Sequence, residues 1–408
     1  MRLESEVVVG WPGARAAYVL VLTVLLASLV IGAAVAGTAL LSPRPQIVPG
    51  DGAFSPAGRL AQARWAHTAT LLRDGRVMVL GGATINSVLG SGELWDPADG
   101  GFRVGGSLGT ARSFQTATLL SDGRILVIGG SGSTGPVSSA ELWHPVGQSF
   151  NGTGSLRESR QNHTATLLAD GRVLVVGGSR HSGSGEATRV VDVGSAEVFD
   201  PTTGSFSPAG SLVQSRHSHS ATLLDDGRVL VVGGWSESGG ALASSELWDP
   251  DTGSFSLAAP PASARAGHTA TLLADGRVLI VGGGTEQRSA VDSAELWDPA
   301  TESFGPTGAL KEARSGHTAT LLPDGRVLIV GGGVPALNRF TCPEVCTATA
   351  EIWDPALDSF SSTGSLTDAR MNHTATLLPD GRVLVVGGGL LDWVTGSAEV
   401  YDPMAPRP

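Results

Sequence analysis

Apolar and polar residues alternate along this chain in a pattern that recurs seven times. Each copy contains a segment such as T-A-T-L-L, the turn sequence Asp-Gly-Arg, and a continuous apolar run such as V-L-I-V that ends at Gly-Gly. Short alternating or apolar runs bounded by turn residues are typical of β-strands, and helical periodicity is absent from the repeat. The second run is apolar throughout, so we expect its strand to be buried on both faces. We expect Asp-Gly to form a tight hairpin in which both residues have positive φ.

Two further strands follow in each copy. The third reads S-A-E-L-W or a variant, and the fourth carries a Phe seven residues after that aromatic position, as in Trp95 and Phe102. For the last copy, whose third strand contains Tyr401, the matching fourth strand is GAFSPAG at residues 52–58, which resembles GSFSPAG at 204–210. We therefore expect the N-terminal segment to complete the last sheet and close a ring, because an open array leaves unpaired strand edges.

The spacing of the copies indicates the architecture. The Asp of Asp-Gly-Arg falls at Asp74, Asp122, Asp170, Asp226, Asp275, Asp324 and Asp380, in steps of 48, 48, 56, 49, 49 and 56 residues. Periods near 50 residues are typical of propellers. The pattern thus predicts an all-β, seven-bladed propeller of four-stranded antiparallel blades over residues 53–408, with the small residues of T-A-T at its axis.

All length variation lies between the diglycine and the Glu of the third strand, where the copies hold 10, 10, 18, 11, 11, 18 and 10 residues. Loops on a rigid scaffold commonly carry recognition. We expect the long loops, 179–196 and 333–350, to flank a shallow pocket over the central channel. The candidate ligand-binding residues in the variable loops are Arg180, His181, Glu186, Arg189, Asp192, Trp235, Arg339, Phe340 and Trp393. Aromatic groups beside Arg and Asp suit a sugar or a peptide side chain; alternatively, the Trp residues pack against neighbouring loops.

Cys342 and Cys346 form a C-x3-C pair, for which we expect a small disulfide outside the cytoplasm; free thiols are the alternative. Two Cys with no His close in sequence make a poor metal site, so we predict no bound metal and no cofactor.

Three polar residues also recur once per copy: an Arg, a His or Gln three residues later, and the Glu of the third strand. A ring of imidazoles suggests a metal or proton site, but a residue needed by every blade more commonly makes the same local hydrogen bond in each. Gln115 replaces His in the second copy, which favours hydrogen bonding. We hypothesise that each Arg pairs with a Glu.

The N-terminal region differs from the repeats. Residues 16–41 contain no charged residue, a length sufficient to cross a bilayer. We interpret them as an uncleaved membrane anchor or, alternatively, a secretory signal with a cleavage site near Ala36. Arg2 and Arg15 favour a cytoplasmic tail at 1–15. Residues 42–52 are a linker, and the propeller is expected outside the cytoplasm. The net charge of −11 argues against nucleic acid as a partner.

The diglycine, the aromatic residues of strands three and four, and the Arg that opens each repeat resemble those of Kelch-repeat β-propellers, the superfamily that includes the central domain of galactose oxidase. Phe stands on strand four, where that family usually has Trp. Galactose oxidase holds copper with Tyr and His ligands and a Tyr–Cys cross-link, but the only tyrosines here are Tyr18 and Tyr401, so copper chemistry is not expected.

No other catalytic motif is found in the sequence. The leading hypothesis is a membrane-anchored, extracytoplasmic scaffold that binds a protein or a glycan through the face bearing the strand 2–3 loops. The alternative is a secreted carbohydrate-active hydrolase or oxidase-like enzyme that uses dispersed acidic residues on that face.

Overall fold

The computed structural model describes residues 52–182, 189–285, 289–334, 342, 345–390 and 392–406. They form seven four-stranded antiparallel sheets, each a blade, and four small two-stranded sheets. The described residues contain no helix that is long and apolar enough to cross a membrane. The apolar segment 16–41, for which we predict an anchor or signal, lies outside them.

The strands are numbered in chain order and grouped here by their position in blades 1 to 7. The first strands are β2 (Thr68–Leu71), β6 (Thr116–Leu119), β12 (Thr164–Leu167), β18 (Ser220–Leu223), β24 (Thr269–Leu272), β28 (Thr318–Leu321) and β32 (Thr374–Leu377). The second strands are β3 (Val77–Leu80), β7 (Ile125–Ile128), β13 (Val173–Val176), β19 (Val229–Val232), β25 (Val278–Val281), β29 (Val327–Val330) and β33 (Val383–Val386).

The outer half of each blade follows the same order. The third strands are β4 (Ser91–Asp96), β10 (Ser139–His144), β16 (Ser195–Asp200), β22 (Ser245–Asp249), β26 (Ala294–Asp298), β30 (Ala350–Asp354) and β36 (Ser397–Asp402). The fourth strands are β5 (Gly101–Ser107), β11 (Ser149–Ser155), β17 (Ser205–Ser211), β23 (Ser254–Ala258), β27 (Ser303–Pro306), β31 (Ser359–Ser362) and, in blade 7, β1 (Ala53–Arg59).

Four blades also carry a two-stranded hairpin between their second and third strands. These hairpins are β8 (Ser131–Gly132) with β9 (Gly135–Pro136), β14 (Ser179–Ser182) with β15 (Arg189–Asp192), β20 (Trp235–Ser236) with β21 (Gly240–Ala241), and β34 (Gly389–Leu390) with β35 (Trp393–Val394).

The first strands line the axis, as predicted from their small residues. Each contacts the first strand of both neighbouring blades, and the contact between β2 and β32 closes the circle. The second strands are buried at every position, which confirms the expectation from their apolar sequence. Close packing of blade on blade is therefore what holds the ring together.

The aromatic residue of the third strand packs against the preceding blade. Trp95 of blade 1 is buried beside Ala57 and Val400 of blade 7, and its indole N–H donates to the carbonyl of Ala57 at 3.0 Å. Trp143 and Trp248 make the same kind of bond to their preceding blades. These three Trp side chains thus contribute apolar burial and satisfy their indole N–H groups across blade interfaces.

The N-terminal strand completes the last blade, which confirms the predicted closure of the ring. β1 pairs antiparallel with β36, with Phe54 opposite Tyr401 and ring centroids 5.0 Å apart. This is the same register that Phe206 has with Phe199 inside blade 3. The strand therefore supplies what the sequence of the other copies requires.

The expected turn geometry at Asp-Gly was wrong. In blade 1 only Gly75 of the turn has positive φ, at 87°, and the N–H of Gly75 donates to the carbonyl of Leu72 at 3.0 Å. The loop is therefore a three-residue type I turn with a glycine bulge rather than a two-residue turn. The Asp74 carboxylate accepts from the backbone N–H of Arg76 at 3.1 Å, which holds Asp in the turn without a positive φ.

The blades define two faces. The Asp-Gly-Arg turns lie on one, which we call the hairpin face. The other, which we call the loop face, carries the connections from strand two to strand three and from strand four to the next blade. These two sets of connections touch through backbone bridges, such as Trp65 with Ala83 and His217 with Trp235.

Candidate functional site

Buried ion pairs hold the loop face in shape. In blade 4, Nη2 of Arg216 lies 2.7 Å from Oε1 of Glu246, and both side chains are 0% exposed. Arg216 also donates to the carbonyl of Gly233 at 2.8 Å, and Glu246 accepts from the backbone N–H of Val213 at 2.7 Å. The predicted pairing of the two series is confirmed in all blades: Arg64–Glu93, Arg112–Glu141, Arg160–Glu197, Arg216–Glu246, Arg265–Glu295, Arg314–Glu351 and Arg370–Glu399.

The histidine series links neighbouring blades. Nε2 of His163 lies 3.0 Å from the hydroxyl of Thr116 on the first strand of the preceding blade. The same bond joins His67 to Thr374, His219 to Thr164, His268 to Ser220, His317 to Thr269 and His373 to Thr318. In blade 2, Gln115 instead donates to the carbonyl of Leu80 at 2.9 Å, and the Thr68 hydroxyl has no partner within the described part of the chain. These side chains therefore make structural hydrogen bonds between blades.

Burial keeps these imidazoles neutral. Burial and, to a smaller extent, the nearby guanidinium of Arg160 together lower the pKa of His163 to about 3. The same causes lower the pKa of His67 and His317 to about 3. A neutral imidazole is the form that fits a bond to a threonine hydroxyl in an uncharged interface.

We predict that His163→Gln, which copies the residue of blade 2, makes the protein less sensitive to acid. The folded pKa of His163 lies below the unfolded value of 6.5, so its contribution is complete above pH 6.5 and is lost as the pH falls towards 3. The substitution should cost about 1 kcal/mol near neutral pH, since a hydrogen bond changes partner. It should also reduce the loss of stability in acid by up to about 1.4 kcal/mol per pH unit. Urea denaturation at neutral pH and at about pH 5 measures both effects; an unchanged pH slope contradicts the assignment.

Between each Arg and its His or Gln stand two residues that differ from copy to copy. The second of them has positive φ in every blade, and its N–H donates to the carbonyl of the same position in the preceding blade. Seven such hydrogen bonds close a circle through Ala66, Phe114, Asn162, Ser218, Gly267, Gly316 and Asn372. We call these residues the axial ring.

The axial ring puts variable side chains on an invariant backbone. Positive φ is strained for a bulky residue such as Phe114, whose φ is 54°. The Phe114 ring packs edge-on against Trp65 of blade 1 with centroids 5.4 Å apart. Strain of this kind persists only where the surroundings impose it and is concentrated at functional sites. The axial ring is therefore the first candidate surface for recognition.

A cavity of ≈ 310 Å³ opens over the axis. Its lining consists of axial-ring residues and their neighbours: Ala66, His67, Phe114, Gln115, Asn162, His163, Ser218, Gly267, Asn372 and His373. None of the loop residues that the sequence analysis selected contributes to this lining.

A second cavity, of ≈ 280 Å³, lies over blades 4 and 5. We call it the His217 cavity; it is lined by His217, Ser218, Trp235, Ala266, Gly267, Gly284, Thr285 and Ser289. Nδ1 of His217 lies 2.7 Å from Oδ1 of Asp192, which comes from the long hairpin of blade 3. The structure thus brings together two of the selected residues, Asp192 and Trp235, around a histidine that the sequence analysis missed.

The remaining selected residues are more dispersed. Nε of Arg180 lies 3.6 Å from Oε1 of Glu158, and His181 and Arg189 are exposed on the hairpin of β14 and β15. Trp393 is half-buried on β35 of blade 7. Glu186, Arg339 and Phe340 lie outside the described residues. Cys342 is bonded to Cys346 in a disulfide on the loop of blade 6.

The sequence contained a signal for His217. It was missed because only loops that vary in length were considered. The two residues after the recurrent Arg read WA, SF, QN, HS, AG, SG and MN in blades 1 to 7. Their number is constant but their chemistry is not. Side chains that change on a fixed backbone are as informative as loops that change in length.

The comparisons with known proteins agree with this architecture. The sequence model of the KLHDC2/KLHL20/DRC7 Kelch-repeats domain matches residues 115–332. A similar solved structure is a fungal alcohol oxidase of the AA5 family in complex with copper, with a TM-score of 0.68 and 20% identity; the match covers 87% of this chain and 76% of the oxidase. At that identity the likeness shows the fold alone. No curated protein matches the sequence.

The described residues do not fit the copper of that oxidase. Among them, no group of three or more His, Cys, Asp or Glu side chains converges. Within this part of the chain, the only tyrosine is Tyr401, which is buried on β36 with its hydroxyl 2.8 Å from that of Thr363. We therefore derive no chemistry through copper.

Proposed function

This chain belongs to the KLHDC2/KLHL20/DRC7 Kelch-repeats domain family, and we propose that it is a binding scaffold that recognises a protein or a glycan through its loop face. Kelch propellers generally act as protein-binding scaffolds. The proposal further holds that residues 16–41 anchor the chain in a membrane and that the propeller lies outside the cytoplasm. The apolar composition of 16–41 and the disulfide between Cys342 and Cys346 support that placement.

One observation carries the assignment to the loop face. The hairpin face has Asp-Gly-Arg in all seven copies, whereas the loop face varies both in loop length and in the residues of the axial ring. A surface with only a structural role can have the same sequence in every blade. A surface that contacts one asymmetric ligand needs different side chains at equivalent positions, which is what the loop face presents.

We predict that binding depends on the long loop of blade 3. The experiment screens the purified full chain against arrays of glycans and cell-envelope proteins. Residues 179–196 are then replaced by SGSTGPVSSA, the ten-residue connection at 131–140 of blade 2. The replacement removes Asp192 and should weaken binding about tenfold or more, since it takes away the carboxylate that contacts His217.

The matched control makes the same replacement in blade 6, at residues 333–350. Both variants should melt near the wild-type temperature, because the grafted connection is native to this fold. Equal binding by wild type and the blade 3 variant would exclude the blade 3 loop as part of the binding surface. Turnover of an oligosaccharide in the screen would instead favour an enzyme.

A further inference from the structure

We propose that the His217 cavity binds the ring of a neutral sugar, with Trp235 as its apolar platform and Nε2 of His217 as its hydrogen-bond acceptor. This inference rests on the proposed function, since it names the class of ligand that the loop face takes. It extends that function by assigning a position, a chemistry and an orientation.

The first step is the orientation of His217. An ionised carboxylate can only accept hydrogen bonds, so the 2.7 Å contact with Asp192 places the proton on Nδ1 of His217. The other oxygen of Asp192 accepts from the backbone N–H of Glu237 at 2.6 Å, and the Asp192 side chain is only 5% exposed. Asp192 is thus fixed between blades 3 and 4 and fixes the imidazole in turn, as a buried carboxylate does for other functional histidines.

The second step follows from that tautomer. In a neutral imidazole with the proton on Nδ1, Nε2 is an acceptor. Throughout the described residues, no hydrogen bond to Nε2 of His217 is found, and the side chain is 18% exposed where it lines the cavity. The cavity therefore offers a positioned acceptor for an O–H or N–H donor of a ligand.

The third step is the shape of the cavity. Its other walls are the half-buried indole of Trp235, the backbone at Ala266 and Gly267, and the hydroxyl-bearing residues Ser218 and Thr285. The C–H groups on one face of a sugar ring carry partial positive charge, which suits the negative face of an indole. A pyranose combines such a face with hydroxyl groups around its edge. A volume of ≈ 280 Å³ is the scale of a small-ligand pocket rather than of a protein interface.

A neighbouring cavity of ≈ 400 Å³ extends the site outwards. It lies between the hairpins of blades 3 and 4 and is lined by Val191, Asp192, Ser215, Ser236, Glu237 and Ser238. Asp192, which lines the second cavity, contacts His217 of the first, and Ser236 of the second directly follows Trp235 of the first. The second cavity is rich in hydroxyl and carboxylate groups, which pair with the hydroxyls of a second sugar unit. The ligand is therefore an oligosaccharide of at least two units.

The charged residues of the two cavities and the distribution of exposed apolar side chains indicate the class of ligand. Among the described residues, the linings of the two cavities contain two acidic residues, Asp192 and Glu237, and no Arg or Lys. A uronate or sulfated sugar would be repelled there, so a neutral sugar is favoured. Among the described residues, the exposed apolar side chains Ile85, Val190 and Val334 stand on separate blades, whereas a protein partner commonly uses a contiguous apolar patch.

The test titrates the full chain with methyl glucoside, methyl galactoside, methyl mannoside, cellobiose and lactose, and with glucuronic acid as the charged comparison. Saturation-transfer NMR and tryptophan fluorescence report binding. Trp235→Ala should weaken the best neutral sugar about tenfold or more, and Leu257→Ala, at an exposed position on β23 of blade 4, should leave it unchanged. Ser238→Trp, which fills the second cavity at an exposed position, should weaken disaccharides and spare methyl glycosides.

The inference is overturned if no neutral sugar binds the wild type, if glucuronic acid binds best, or if Trp235→Ala and Leu257→Ala bind alike. Melting curves show whether a variant is folded, and Ser238→Trp keeps the test decisive if Trp235→Ala unfolds. A protein partner that depends on the blade 3 loop, with no sugar bound, overturns this inference and leaves the proposed function standing. Loss of the proposed function shows instead as loop-independent binding on the arrays.

Discussion

Deleting residues 53–59 from the full chain is expected to abolish the cooperative unfolding transition of the propeller. The segment is the fourth strand of blade 7, and its Phe54 packs on Tyr401. Its loss removes the burial of Phe54, which contributes about 1.5–3 kcal/mol, and the cross-strand hydrogen bonds to β36. It also takes away the carbonyl of Ala57 that accepts from Trp95. The expected loss exceeds about 5 kcal/mol, which is comparable to the net stability of an ordinary domain.

A matched replacement tests whether the ring needs this particular sequence or only an equivalent strand at this position. Substituting SFSPAGS, residues 205–211 of blade 3, for AFSPAGR at 53–59 should restore the transition, because the two strands make the same register with their partners. Thermal unfolding followed by circular dichroism measures both variants. A deletion variant that melts like the wild type would show that the ring does not depend on this strand.

Arg265→Met is expected to destabilise the propeller by about 3–5 kcal/mol, because it leaves the buried carboxylate of Glu295 without its cation. The two groups lie 2.6 Å apart, with side chains 0% and 6% exposed. Arg265 also donates to the carbonyls of Gly282 and Ser293 and to the hydroxyl of Ser293, so four acceptors lose their donor together. Urea denaturation near neutral pH measures the change.

Blade 5 supplies its own control in Arg277→Met. Arg277 lies 2.8 Å from Asp275, but those side chains are 35% and 50% exposed, so this substitution should cost no more than about 1 kcal/mol. The double variant Arg265→Met with Glu295→Leu should recover part of the loss, since it removes the uncompensated charge. Equal effects of the two single variants would contradict a structural role for the buried pair.

The repeat explains why so much of the fold follows from the sequence. Each of the seven copies constrains the same assignment, so the register of Trp95 with Phe102 predicts that of Tyr401 with Phe54. The Arg and Glu series also followed from counting, because a buried charge that recurs in every blade needs a recurring partner. The fold and its framework of ion pairs were therefore predictable.

The turn type at Asp-Gly and the contact between His217 and Asp192 were harder to predict from the sequence, for physical reasons. Asp-Gly suggests a two-residue turn, but the bond from the Asp74 carboxylate to Arg76 favours a type I turn with a bulge, which only the side-chain contact reveals. His217 is separated from Asp192 by 25 residues and belongs to another blade. A contact between blades cannot be read from within one repeat, and the axial ring varies in chemistry without varying in length.

Hydrogen exchange of the full chain, with and without the ligand selected on the arrays, tests most directly whether the loop face is where this propeller binds. We expect slower exchange at amides near His217, around Trp235 and along β15, with the Asp-Gly-Arg turns of the hairpin face unchanged. Protection of those turns, with the loop face unaffected, would contradict the account.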